Sequence, residues 1–262
     1  MDISRYVTYD LPVPYRNIII YPAIVKDYFH FAIYSQCLTT EKNFIPDIKL
    51  ISMTELEYLY YGTIQSPDKT PYLFQLDRLL SICLKEDKSF EKIEKSVERY
   101  KQDEKGKPFF IIDNEEYRAN DYDEIKKIIC EQNFIELPDP TISKEVRDSL
   151  EEARRYKQKI AGNIPGSFED YIISLSTVTG WTQEYIHSMS IRKFIKSIRR
   201  MDNLIHYKIY LAASMSGMVE FKDKSFIKHW LTNIDETDKY RDVSMDLDAM
   251  KDKISMESAK NN

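Results

Sequence analysis

The longest regular alternation of apolar and polar positions in the chain lies at 191–215. Apolar residues recur at Ile191, Phe194, Ile195, Ile198, Met201, Ile205, Ile209 and Ala212, the spacing of an amphipathic helix. At about 100° per residue they share one broad face, while Arg192, Lys193, Lys196, Arg199 and Arg200 fall on the opposite one. The pattern predicts that the apolar face is domain core. Ser190 is placed to cap the start of the helix and Gly217 to close it. Before it, Ser167 caps a helix carrying Glu169 and Asp170 in its first turn, and Thr182 caps a short one, TQEYIHSM. After it, VEFK reads as extended, and Ser225 caps a last turn through His229, Trp230 and Leu231.

Upstream of 160 the pattern is mixed. Residues 1–16 read as an extended, turn-like lead-in because of Pro12 and Pro14. Residues 17–25 are β-branched and aromatic, with Pro22 confining any strand to an edge or an end. The aromatic run DYFHFAIYSQC fits helix or strand, and 38–53 reads as a connector. Thr54 and Glu57 stand at capping-box spacing, predicting a helix over 54–61 that ends at Gly62. The run YLFQLDRLLSICL fits a helical period, though Leu76, Arg78 and Leu80 also alternate. The charged stretch 85–107 reads as a solvated helix or an exposed hairpin. FFIID then predicts a strand, NEEYRAND a turn, and DYDEIKKIICEQN a helix from near Asp121 to Asn133. A helix over 141–160 has a narrow apolar stripe, with Glu151 and Arg155 at a favourable spacing.

GNIPGS at 162–167 is the best linker in the chain. The expected organisation is therefore α+β: a mixed α/β region over 1–161, a mainly helical one over 167–234, and a polar, acidic tail over 235–262. The tail has too little apolar surface to offset ordering entropy; it is expected to be mobile, or to become helical on binding.

Composition narrows the function. Nineteen tyrosines stand against only six glycines, so phosphate-cradling loops are scarce; neither GxGxxG nor GxxxxGK[ST] occurs. A net charge of −5 argues against nucleic-acid binding over the whole surface but allows local basic patches. Cys37, Cys83 and Cys130 are odd in number, far apart and in apolar contexts, which predicts reduced core thiols. The start, MDISRYVTYDLP, lacks a signal-peptide pattern, and no apolar run approaches the roughly 20 residues that span a bilayer. A soluble, intracellular protein is expected.

Catalytic signals are absent from the pattern. His30, His187, His206 and His229 show no ligand spacing and have no cysteine pair nearby. SMSGM and IPGSF do not match the GxSxG elbow. The chain is therefore not expected to be an enzyme, to bind a metal or to use a cofactor. The basic face of the 191–215 helix is the sharpest candidate for a binding site: Arg192, Lys193, Lys196, Arg199 and Arg200, bracketed by Trp181 and Trp230. It suits an acidic protein partner, with aromatic anchors of the kind enriched at interfaces. The chain's own acidic tail could screen it until a partner displaces it. A second reading takes 180–201 as a helix-turn-helix-like unit of a DNA-binding regulator.

One resemblance adds to this. The stretch GWTQEYIHSMSIRKFIKSIRRMDNLIHYKIYLAASMSGMVEFKDKSFIKHW resembles the helical region of tail-assembly chaperones and baseplate-assembly proteins from tailed phages of Gram-positive hosts. The opening DLPVPYRNIIIYPAIVKDYFHF is similar to the start of such baseplate proteins, whereas 85–159 has no counterpart. The resemblance implies virion morphogenesis: a protein that binds a tail, tape-measure or baseplate component, or is built into the virion tail. It implies no cofactor and no membrane. It leaves room for a homo-oligomer and ranks nucleic acid behind protein as a partner.

Overall fold

The computed structural model describes residues 2–40, 52–65, 72–86, 98–137, 142, 144–160, 166–217, 227 and 229–232. Residues 162–165 of the expected linker, the VEFK and Ser225 segment and the acidic tail lie outside them. Among the described residues the chain is α+β, rich in helix with two small antiparallel sheets. It divides into two units, 1–137 with 180–195, and 138–179 with 196–262.

The first unit opens on a short helix, α1 (Ser4–Thr8), and a hairpin of β1 (Val13–Tyr15) and β2 (Ile18–Ile20). This corrects the extended lead-in. Asp2 accepts the Ser4 amide at 3.0 Å, and Ile3 and Val7 find burial that no local pattern announces. The aromatic run folds as a helix, α2 (Tyr28–Tyr34), between two 3-10 turns, Val25–Asp27 and Ser35–Thr39. Next comes α3 (Glu55–Gln65), whose capping box is formed. Glu57 accepts the Thr54 amide at 2.6 Å, and Thr54 Oγ1 accepts the Glu57 amide at 3.2 Å. Gly62 does not end this helix. It lets the Tyr72 ring come close, since a Cβ there would lie 3.2 Å from that ring.

The centre of the unit is α4 (Tyr72–Leu84), which is buried on almost every side. Leu76, Asp77, Leu79, Leu80 and Cys83 are all at most 1% exposed. The helix packs on α2, α3, β2 and the second 3-10 turn. A helix buried on almost every side belongs in a core, and both charges at its middle are engaged: Arg78 lies 5.1 Å over the Phe74 ring, and Asp77 is paired. Asp77 accepts Arg99 Nε at 2.8 Å, and Arg99 also reaches Glu86 at 2.8 Å.

The described part of 85–107 contains the hairpin alternative. Strand β3 (Tyr100–Gln102) pairs with β4 (Pro108–Ile112), which pairs in turn with β5 (Glu115–Tyr117). Strand β5 is hidden in what the sequence reads as a turn. The turn itself is only Asp113 and Asn114, both left-handed at φ 51° and 64°, as a tight hairpin requires. Then α5 (Ala119–Asn133) begins two residues before its expected start and closes on Phe134 in the left-handed region. Phe110 and Tyr117 stack with ring centres 5.5 Å apart.

Of the second unit, α6 (Lys144–Ile160) and α7 (Phe168–Thr179) are as expected in type. Ser167 Oγ accepts the Asp170 amide at 3.1 Å, making the expected cap. Glu151 pairs with Arg154 at 2.9 Å, one residue short of the expected i, i+4 partner. Helix α8 (Gln183–Ser188) and the start of α9 (Ile191–Met215) belong to the first unit, and α9 continues into the second.

Candidate functional site

The site is built at the joint between α8 and α9. Thr182 Oγ1 accepts the Tyr185 amide at 3.2 Å, starting α8. Met189 is extended, and the chain there lies along 23–25 as a one-residue antiparallel bridge between Ile24 and Ser190. Val25 N–H donates to Met189 O and Ile191 N–H to Ala23 O, each at 2.9 Å. Ser190 does two jobs. Its Oγ accepts the Lys193 amide at 3.1 Å, capping α9, and donates to Asp10 at 2.6 Å. Ile186, Met189, Ile191 and Phe194 are buried around this joint, so the orientation of the first turns of α9 is fixed.

A cleft of about 320 Å³ opens beside it, lined chiefly by Asp10, Tyr21, Lys85, Tyr185, Ser188 and Lys193. Lys85 Nζ sits 4.0 Å over the Tyr21 ring. Trp181 meets Tyr185 edge to face at 5.4 Å, and both rings are exposed. The cleft thus brings together two ammonium groups, Lys85 and Lys193, the exposed Tyr185 ring and the Asp10 carboxylate that accepts from Ser190. No sequence pattern marks Lys85 or Tyr21 here; they are the residues that follow α4 and β2.

The basic face divides by what each side chain touches. Arg192 donates to Glu131 O at 3.0 Å and lies over the Phe134 ring at 5.3 Å, tying α9 to the end of α5. Lys193 is exposed on the cleft. Lys196 and Arg199 are half-buried and engaged with neighbours. In the second unit Arg200 donates to the carbonyls of Trp230 and Thr232, the latter at 2.9 Å. His229 meets the Tyr207 ring edge to face at 5.2 Å and neighbours Trp230. Arg200 and Tyr207 thus hold the 229–232 turn against α9.

The apolar face of α9 does not stay core along its length. Ile191 and Phe194 are buried, but Ile205 is 39% exposed, Ile209 56% and Met215 78%. Ile173 and Val178 on α7 are also open. Among the described residues of the second unit, Ile172 and Leu175 are the buried apolar side chains. Ile205, Ile209 and Met215 thus leave an apolar stripe of α9 open to water.

Residues 157–235 match the family model described as the YomV second domain. That family is phage-derived. The matched segment runs through α7, α8, α9 and the 229–232 turn, so it holds the open apolar stripe and every residue of the basic face. No curated protein and no solved structure matches the chain.

The seven residues marked by sequence are divided between the two units. Trp181, Arg192 and Lys193 belong to the first unit, and Lys196, Arg199, Arg200 and Trp230 to the second. Among the described residues no group of His, Cys, Asp and Glu could hold a metal ion, and no helix is long and apolar enough to cross a membrane. All three cysteines are free and buried. Burial pushes the Cys83 thiol up to about 12 and the Cys130 thiol up to about 11.

Proposed function

We propose that this chain is a non-enzymatic phage morphogenesis protein that binds a tail, tape-measure or baseplate component during assembly. The observation that carries the reading is the match of 157–235 to a domain of a phage-derived family, over helices whose apolar faces stand open. The contact surface is the exposed side of α9 around Ile205 and Ile209, with Lys196 and Arg199 alongside. Such a surface favours an amphipathic segment that carries acids beside its apolar positions. The cleft at Lys85, Lys193 and Tyr185 offers a second foothold for an acidic segment.

The test is recovery of the full chain from phage-producing cells, with its co-purifying proteins identified by mass spectrometry. A tail, tape-measure or baseplate protein that is retained by wild type and lost from Ile205→Asp/Ile209→Asp supports the reading. Detection of the chain in purified virions would assign it to the tail structure, and its absence there to a chaperone. Co-purifying nucleic acid released steeply by salt, with no tail component, would replace the reading with a DNA-binding regulator.

A further inference from the structure

The cleft beside the joint of α8 and α9 is lined by residues of the first unit alone, and its charges are unequally matched. Lys85 and Lys193 are both exposed, and among the described residues neither forms an ion pair. Lys85 Nζ rests instead over the Tyr21 ring at 4.0 Å. Among the described lining residues the carboxylate is Asp10, which already accepts the Ser190 hydroxyl at 2.6 Å. Two cations and one anion leave one positive charge in excess.

The backbone is strained where it delivers two of these groups. Lys85 stands at φ 57° and Asp10 at φ 58°, left-handed values that glycine takes freely and a side chain disfavours. Each follows a helix. Glu86 N–H donates to Ser81 O at 2.9 Å past the end of α4, and Leu11 N–H to Tyr6 O at 2.8 Å past α1. Glycine is the usual residue at such a closure, yet both positions carry charged side chains that line the cleft. Strain of this kind collects at functional sites. The Tyr21 amide donates to Cys83 O at 2.7 Å, so the ring and the ammonium above it are carried by joined segments.

We infer that the cleft holds one carboxylate, the side chain of an aspartate or glutamate in an extended segment of a partner protein, against the ammonium groups of Lys85 and Lys193, with the neighbouring residue of that segment on the Tyr185 ring. Charge selects the group. A single carboxylate brings the excess to zero, whereas a phosphate dianion would exceed it and face Asp10. Size selects the form. A volume of about 320 Å³ is at the small end of ligand pockets, roughly 300–1,000 Å³, and too narrow for a helix about 10–12 Å across. Pro12, Pro22, Ile24 and Met189 supply an apolar part of the lining, and Tyr185 stands 45% exposed, a ring of the kind enriched at interfaces. The amides of Val25, Ile191 and Lys193 already donate within the chain, so an occupant meets side chains and is read in chemical shifts rather than in amide exchange. The site is the second foothold of the reading above narrowed to one functional group. It rests on that reading for the partner being a protein, and on the first unit alone for its geometry.

Two-dimensional NMR of the isotope-labelled full-length chain, titrated with acetyl-Ala-Glu-Tyr-Ala-amide, tests it. The expected result is saturable shifts at the amides of Lys85, Tyr185 and 188–193, weakened by salt. The same peptide with Gln for Glu should bind about tenfold more weakly, the loss of one charge-assisted contact. Lys85→Gly, which suits the left-handed backbone, and Lys193→Gln should each weaken the Glu peptide about tenfold and leave shifts elsewhere in place. Ile205→Asp/Ile209→Asp should bind it as wild type does, so failure at the cleft and failure at the α9 surface are read apart. Equal affinity for the two peptides, or no saturable shift at about 10 mM peptide, would overturn the inference. Inorganic phosphate that saturates the same amides more tightly than the Glu peptide would overturn it in favour of a phosphate ester.

Discussion

At the scale of single residues, the environment of a side chain decides its chemistry. Cys37, Cys83 and Cys130 sit in apolar surroundings that disfavour the thiolate, and the thiolate is the reactive form. Iodoacetamide at pH 8 should label none of the three in the folded chain and all three in urea, as read by intact mass. Asp121 shows the opposite sign. Burial works against its charge, but the Arg118 amide, the Tyr15 hydroxyl and the Arg16 guanidinium outweigh it and hold the carboxyl below its ordinary value. A depressed carboxylate contributes stability that is present above its unfolded value near 3.8 and is lost as pH falls through the folded one. Asp121 is partly exposed, so screening keeps the effect small. Asp121→Asn should cost about 0.5 kcal/mol at pH 7, and the two chains should converge below about pH 3, as measured by urea unfolding at both values.

At the scale of elements, packing decides what local pattern leaves open. The caps at Thr54, Ser167, Thr182 and Ser190 were legible because each depends on residues three apart. Strand β5 was not legible: its three residues, Glu115–Tyr117, owe their conformation to pairing with β4 and carry no period of their own. Gly62 misleads for a related reason, since the residue it accommodates, Tyr72, comes from the next helix. Lys85 at the cleft shows the same limit, because nothing near it in sequence announces Tyr21. The ion pair of Asp77 with Arg99 is a further case: a charge inside an apolar run acquires its partner from 22 residues away. Removing one member of such a pair strands the other in the core. Arg99→Met should therefore destabilise the first unit by about 3 kcal/mol, and Asp77→Leu/Arg99→Met should recover much of that loss. Thermal and denaturant melts of both variants measure it.

At the scale of the whole molecule, the two units differ in how much apolar surface their described residues bury. The first has a contiguous core around α4, with Phe110, Tyr117, Ile125 and Ile129 added from β4, β5 and α5. The second buries Ile172 and Leu175 and leaves Ile173, Val178, Ile205 and Ile209 in contact with water. At roughly 25 cal/mol per Å² of apolar surface removed from water, that difference sets the free energy at which each unit opens. Segments with few buried contacts open at a fraction of the global free energy. Amides of α7, and of α9 beyond Lys196, should therefore exchange through an opening that costs several kcal/mol less than the one exposing α4. The start of α9 should follow α4 instead, because Ile191 and Phe194 are buried and the Ile191 amide is bonded to Ala23 O. One helix would then show two exchange regimes, changing near Ile195. A single regime along α9, equal to that of α4, would mean that the second unit has a core as strong as the first. Added partner should raise protection only beyond Lys196, which separates binding at the open stripe from binding at the cleft.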